Sequence, residues 1–416
     1  MEKRRPPDWH AGNPAVPVFK ALTLCVLLAQ APPAAAQERF LPSDSAVLLH
    51  SSALAGGRHA SLRTLDRAWR AQPQDLDVAL AYARAVFNLG LREGDLRWFG
   101  SARAALAPWW QATDLPAEGH FLRGLVKQGF HDFDAGLKDL ERAIALEPRR
   151  TEFWSWRFAL RLLKADMAGA RRDAEEMAGL FGSAEADVYR AIVAYRTGQP
   201  LAAIKMLRQA IRSASNQDAS SQDWLSFHLG EAHRVAGQPD QAVAVWEERL
   251  KASGQSHLIR LSLAELLNQQ GRHLLAKSVA MNQSDMGSLT DALLMQALLA
   301  SRVLKDGDEA RLARQMDARL KSQALRQESL IERPKLIYQI AYGQDIATGL
   351  ALSIENWRLQ KEPPDAILFV QAALALGQAR AAEPVIEWAE KTGYTDPQLA
   401  TLMQQLKAHP SWAGRR

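Results

Sequence analysis

The chain has 416 residues, 47% of them hydrophobic and 23% charged. That is the balance of a folded protein, too long for one small core, so several domains or one repeat array must account for it. Basic and acidic groups number 51 and 46, interleaved along the chain, and a net charge of +5 spread over both signs gives no electrostatic footprint for nucleic acid.

Taken from its start, the chain opens on an address. Lys3, Arg4, Arg5 and Lys20 are basic, Ala21 to Ala29 (ALTLCVLLA) is an apolar run, and Ala34-Ala35-Ala36 supplies the small residues of a cleavage site. Residues 1–36 are therefore expected to be a secretory signal peptide, cut after Ala36, with the mature chain in a bacterial periplasm. The apolar run is too short to span a bilayer, so no stable membrane insertion is expected once the signal is removed. Cys25, the sole cysteine, follows Leu24 rather than a small residue, which argues against lipidation. Without it the mature chain forms no disulfide. Arg4-Arg5 is followed by Pro6, Pro7 and Asp8, a poor match to twin-arginine export. Removing residues 1–36 takes away four basic and two acidic groups, leaving 47 against 44.

Residues 37–57 are a lead segment, and helical patterning starts near residue 58. Residues 61–73 (SLRTLDRAWRAQP) predict a helix closed by Pro73, and residues 76–108 a helix pair with extra residues after Gly90. The clearest segment is Phe133 to Pro148 (FDAGLKDLERAIALEP). An aromatic opens it, Ala143 sits where only a small residue fits, and Pro148 ends it. Counting back places the start of its unit at Ala117, with Gly124 in the small eighth place. Further units start at Thr151, Ala184, Asp223 and His257, with small residues at Ala170, Ala191, Ala203, Gly230, Ala242, Ala264 and Ala276 and turn glycines at Gly198, Gly237 and Gly271. The spacings are 34, 33, 39 and 34 residues, and the 39 is assigned to an extended polar loop over residues 213–222. Residues 289–320 and 337–359 predict degenerate helix pairs, and residues 363–389 return to register. Asp396 is placed to cap a last helix over residues 397–408, whose Gln398, Thr401, Gln404, Gln405 and Lys407 would form a polar outer face. Strand signals are absent.

This pattern resembles the tetratricopeptide repeat family over residues 58–390, as found in exported bacterial proteins. The resemblance implies an all-α fold, a right-handed α-solenoid of stacked helix pairs, divided here into an array over residues 58–343 and further degenerate repeats with a capping helix over residues 344–416. In the family the first helix of each pair lines a concave groove. The corresponding positions place Phe121, Trp156, Tyr189, Tyr195, Phe227 and Arg234 on one stripe, the candidate partner-binding residues. Relatives that clamp a terminal carboxylate use Lys and Asn at the inward positions. This chain has Glu118, Glu152 and Glu185 instead, so an apolar helix or extended peptide suits the groove better. Trp69, Trp154, Trp246 and Trp388 fall at packing positions. Trp109-Trp110 follow Pro108 in a loop, either as an inter-repeat wedge or as an exposed surface.

Catalytic and metal signals are sparse. No phosphate loop, nucleophile elbow or Cys pair occurs, and no cofactor is expected. His228 and Glu231 share a helix face, but His233 turns away, so the trio is not read as a metal site. Arg326-Gln327-Glu328-Ser329 resembles the start of the glutamate motif of soluble lytic transglycosylases, yet the downstream Gly-Leu-Met-Gln segment is missing. The expected function is a non-catalytic scaffold or adaptor holding a protein or peptide partner, for envelope assembly or secretion. The alternatives are a peptidoglycan-directed enzyme and a polysaccharide-export helper.

Overall fold

The computed structural model describes residues 60–93, 97–213, 219–253, 256–282, 289–325, 333–343 and 345–413. The signal and lead segments and the Glu328 motif lie outside the described residues. Three helices come first: α1 (Ala60–Ala71), α2 (Leu76–Glu93) and α3 (Arg97–Ala105). Six antiparallel pairs follow, inner helix then outer: α4 (Ala117–Gly129) with α5 (Phe133–Leu146), α6 (Thr151–Leu163) with α7 (Met167–Phe181), and α8 (Ser183–Arg196) with α9 (Pro200–Ser213). Then come α10 (Ala219–Val235) with α11 (Pro239–Ser253), α12 (His257–Gln269) with α13 (His273–Met281), and α14 (Asp291–Leu304) with α15 (Glu309–Leu325). The described chain ends in α16 (Arg333–Ile337), α17 (Ile346–Leu359), α18 (Pro363–Ala375), α19 (Glu383–Thr392), α20 (Pro397–Ala408) and the single turn α21 (Pro410–Ala413). No strand occurs among the described residues.

The register is visible in the backbone. Each turn from inner to outer helix contains one residue in the left-handed region: His131, Ala165, Gly198, Gly237, Gly271 and Lys305, with φ of 59°, 57°, 78°, 72°, 75° and 52°. A chain reversal this tight needs one positive φ per turn, whichever residue supplies it. These positions repeat the 34, 33, 39 and 34 spacing and add another 34. Small residues fall where helices cross. A side chain at Gly124 would lie 3.1 Å from Gly136 O, and Ala143, Ala170, Ala203, Ala242 and Ala276 are fully buried. One helix pair cannot cover its own apolar stripe, and stacking covers it.

Two expectations need correction. The expected loop over residues 213–222 is partly helix, because α10 begins at Ala219, one turn ahead of Asp223, where Arg249 on α11 reaches across to Asp223, Gln222 Oε1 and Ala219 O and holds that extra turn. Residues 337–359 are not a simple pair, because α16 runs into a π-helical turn, Tyr338–Tyr342, before α17 begins. The capping proposed for Asp396 is present, with its carboxylate accepting from Leu399 N at 2.9 Å. Trp154, Trp246 and Trp388 are buried, and Trp69 stacks on Tyr82 at 4.9 Å. Trp109 and Trp110 are half-buried, and their loop is pinned by Arg123, which donates to Trp109 O, Trp110 O and Ala112 O.

The sequence pattern does not anticipate that the solenoid curves back on itself. Lys361 N donates to Leu163 O at 2.8 Å, and Arg196 pairs with Glu362 at 3.1 Å. Arg234 pairs with Asp396 and donates to Tyr394 OH. The turn at Gly198 approaches the turn at Gly393 so closely that a Cβ on Gly198 would sit 2.5 Å from Gly393 O. One apolar core accordingly runs from Leu80 to Val235 and on through Leu350 to Leu406. Smaller cores between α11 and α16 complete the ring.

Candidate functional site: the central cavity

The curve of the solenoid forms a half-open cavity of about 810 Å³. Inner helices α8, α10, α12 and α14 line it on one side. Residues of α16, α18 and the 394–398 segment close it on the other. Apolar walls come from Phe227, Leu261, Leu299, Ile337, Ile367 and Leu368.

Charged side chains converge on this space from elements far apart in sequence. Arg196 pairs with Glu362, and Arg333 with Asp365 at 2.8 Å. Arg234 grips Glu231 through two hydrogen bonds, at 3.2 and 3.0 Å, and also pairs with Asp396. Such pairs exchange lost hydration for mutual attraction. They fix the relation of the two arms of the ring more than they stabilise it outright. Burial pushes the Glu362 carboxyl up, against the pull of Arg196. His228, hydrogen-bonded through Nδ1 to Tyr195 OH at 2.8 Å, has its pKa lowered well below the usual histidine range by burial and by the nearby Arg196 charge. It stays neutral at physiological pH and serves as packing for Trp224 and Phe227.

One carboxylate is left over. Glu265 lines the cavity, half-buried, with no hydrogen bond or ion pair to any described residue. Burial pushes its carboxyl up, Arg333 and Arg234 act the other way, and Glu231 and Asp365 repel its charge. Of the guanidiniums nearby, Arg234 pairs with Glu231 and Asp396, whereas Arg333 pairs with Asp365 through Nε and keeps a buried Nη2 without a hydrogen-bond partner among the described residues.

The six residues expected on one stripe separate into two groups. Phe121, Trp156 and Tyr189 are 0, 5 and 1% exposed. Phe121 packs on Phe153, Trp156 edges against Phe87, and Tyr189 hydrogen-bonds Ser155 at 2.6 Å. Their spacing is right for an inner helix, but stacked neighbours fill the space in front of them. Tyr195, Phe227 and Arg234 do meet at the cavity. Glu118 and Glu152 are tied to Arg84 on α2 and to Arg150. Of the residues near His228, His233 hydrogen-bonds Gln238 at 2.7 Å. Sequence reasoning missed Arg196, Glu265, Arg333 and Glu362. Of these, only Glu265 had a signal, because it repeats Glu231 after 34 residues.

The recurring left-handed turn and the stacked pairs decide the architecture. The fold is a tetratricopeptide-type α-solenoid. No protein-family model matches the sequence, and no curated protein is similar to it in sequence. Among solved structures, the solenoid is similar to a monomeric mutant of IFIT1 with m7Gppp-AAAA. The TM-score is 0.45 at 12% identity, over 80% of this chain and 76% of that one. It is also similar to the apo form of the quorum sensor NprR from B. thuringiensis, with a TM-score of 0.37 at 13% identity, over 79% of this chain and 94% of that one. A third is the APC/C heterotetramer Cut9-Hcn1, with a TM-score of 0.31 at 14% identity, over 87% and 92%. Likeness at this level concerns the helix-pair fold alone. No helix among the described residues is long and apolar enough to cross a membrane.

Proposed function

We propose that the chain is a non-catalytic periplasmic scaffold that takes an extended peptide segment of a partner protein into its central cavity. The observation that carries this reading is the cavity itself. It has some 810 Å³ of space, apolar walls, and a rim built from inner helices of successive repeats. A concave, mostly apolar site with a few placed polar groups is what a peptide occupant needs. Arg196, Arg234 and Arg333 inside it are held in ion pairs with Glu362, Glu231, Asp396 and Asp365. The basic start, short apolar run and Ala34-Ala35-Ala36 support the periplasmic placement.

Site-specific photo-crosslinking tests the reading. A crosslinking side chain at Ser262 or Gln371, both in the cavity wall, should trap one segment of one partner. The same group at Leu201, 66% exposed, should not. Crosslinks obtained only from Leu201 would place binding on the outer surface. For localisation, the exported protein should begin near Gln37 on N-terminal sequencing. Recovery of an intact Met1 chain in the membrane fraction would overturn that.

A further inference from the structure

Arg234 on α10 and Arg302 on α14 occupy the same place in the repeat, two 34-residue steps apart, and both line the cavity. Three residues before Arg234 stands Glu231. Arg234 grips it through Nε and Nη2, the guanidinium edge that holds a carboxylate by two parallel bonds. Three residues before Arg302, in the place of Glu231, stands Leu299, also in the cavity wall. Arg302 is held by backbone instead. Its Nη1 donates to Ala341 O at 3.0 Å and to Tyr342 O at 2.9 Å, and its guanidinium lies 5.0 Å over the Tyr342 ring. The Nε and Nη2 edge donates to no described residue. This repeat has kept the cation and lost its carboxylate.

The charges around the cavity lean the same way. Its lining carries five Arg and Lys side chains against three carboxylates. Three of the five serve the acidic groups. Arg196 pairs with Glu362, Arg234 with Glu231 and Asp396, and Arg333 with Asp365 while also attracting Glu265. Even so, Arg196 Nη1 and Arg333 Nη2 are buried donors without an acceptor among the described residues. Arg302 and Lys305 remain with no carboxylate in ion-pair range among the described residues. The acidic groups that follow them are engaged elsewhere: Asp306 and Asp308 hold Lys277, each at 2.7 Å, and Glu309 accepts from Tyr342 OH at 3.4 Å. Leu299, Arg302 and Val303 fall at i, i+3 and i+4, on one face of α14, and Val303 lines the cavity while 57% exposed. Apolar contact therefore lies directly beside the open guanidinium edge.

We propose that the cavity recognises a segment carrying an acidic residue, whose side-chain carboxylate accepts from Nε and Nη2 of Arg302 beside the Lys305 ammonium, while flanking apolar side chains lie along Leu299 and Val303. The partner then supplies the carboxylate that stands at Glu231 in the α10 repeat and is absent from α14. This rests on the peptide-binding reading above and adds the charge of the occupant. An arginine already fixed by two carbonyls loses little freedom on taking a carboxylate, because its planar fork is set in place before the ligand arrives.

The test uses the full mature chain and three peptides of sequence Ala-Leu-X-Leu-Ala, with X as glutamate, norleucine or lysine, measured by titration calorimetry. Both peptide ends are blocked, so that only the side chain at X carries charge. Inorganic phosphate is a fourth ligand. The glutamate peptide should bind on the order of tenfold tighter than the norleucine peptide, the size of one charge-assisted contact, with lysine weaker still. In Arg302→Gln that preference should vanish. Leu299→Glu keeps Arg302 and its bonds to Ala341 and Tyr342 but reinstates the Glu231–Arg234 arrangement, so it should abolish the preference also, and it decides the matter if Arg302→Gln fails to fold. Equal binding of the glutamate and norleucine peptides to the wild type, or a preference for lysine, would overturn the inference and leave the peptide-binding reading standing. A glutamate preference retained in Leu299→Glu would overturn it too. Binding of phosphate alone would assign the cations to a small anion and overturn it, and binding of none of the four would remove both the inference and the reading beneath it.

Discussion

Gly230 lies on α10, the helix that presents Phe227, His228, Glu231 and Arg234 to the cavity, and its other side faces α11. A Cβ added there would lie 2.8 Å from Trp246 Cδ1, and Nε1 and Cε2 are closer still. Ordinary carbon contacts need about 3.5 Å or more, so the indole must retreat by more than an ångström. It has nowhere to go. Trp246 is fully buried among Ala242, Val243, Ile259 and Leu263, and its Nε1 donates to Phe227 O at 3.2 Å. In Gly230→Ala, overpacking costs roughly 1–3 kcal/mol, and loss of the indole hydrogen bond about 1. The better helix propensity of alanine returns about 1. The expected net loss is about 2 kcal/mol, read as an earlier transition in urea-induced unfolding followed by circular dichroism. Gly179→Ala on α7 is the matched control, since nothing lies within 4 Å of its Cβ position. Propensity acts there alone, and the variant should gain up to about 1 kcal/mol. Equal shifts in the two variants would refute the reasoning, because helix propensity would then explain both without the Trp246 clash.

Trp156→Ala should lose about 3–5 kcal/mol in denaturant unfolding, because the ring is core packing. Wild-type stability in that variant would return Trp156 to the list of free groove residues. Arg196→Met removes the cation that holds buried Glu362, and the C-terminal arm should loosen from α8. Small-angle scattering should show a larger radius of gyration, whereas Arg190→Met, at an exposed pair with Glu175, should not. Unchanged scattering in both would show that the ring does not depend on that pair. Burial raises the Asp139 carboxyl, but hydrogen bonds from Arg123, Lys127 and His120 outweigh this and hold it below the usual carboxylate value. Its contribution is therefore present above the unfolded pKa of about 4 and is lost as pH falls through the lower folded value. Asp139→Asn should be destabilised at pH 7 and show a shallower acid-induced loss, measured as melting temperature against pH. A parallel pH curve would rule Asp139 out as the source of that loss.

The sequence by itself determined the helix pairs, their period and their close crossings. These depend on local rules: a stripe every three or four residues, a small side chain at each crossing, and a turn that needs one positive φ. Phe133 to Pro148, Ala143 and Gly198 are legible for that reason, and so is Asp396 as a cap. The tertiary structure decided which inner-helix residues are left open. Phe121, Trp156 and Tyr189 share register positions with Phe227 and His228, but how far each is covered depends on how sharply the stack curves. Curvature is the sum of small rotations at every interface, and no single residue encodes it. The return of α17–α20 onto α6, α8 and α10 is likewise set by that sum. Pairs such as Arg196 with Glu362, 166 residues apart, carry no local periodicity to betray them. Glu265 lies between the two cases. The 34-residue repeat identifies it as the counterpart of Glu231, but only the packed structure shows that its nearest cationic influence comes from Arg333, far along the chain, where Glu231 has Arg234 three residues on.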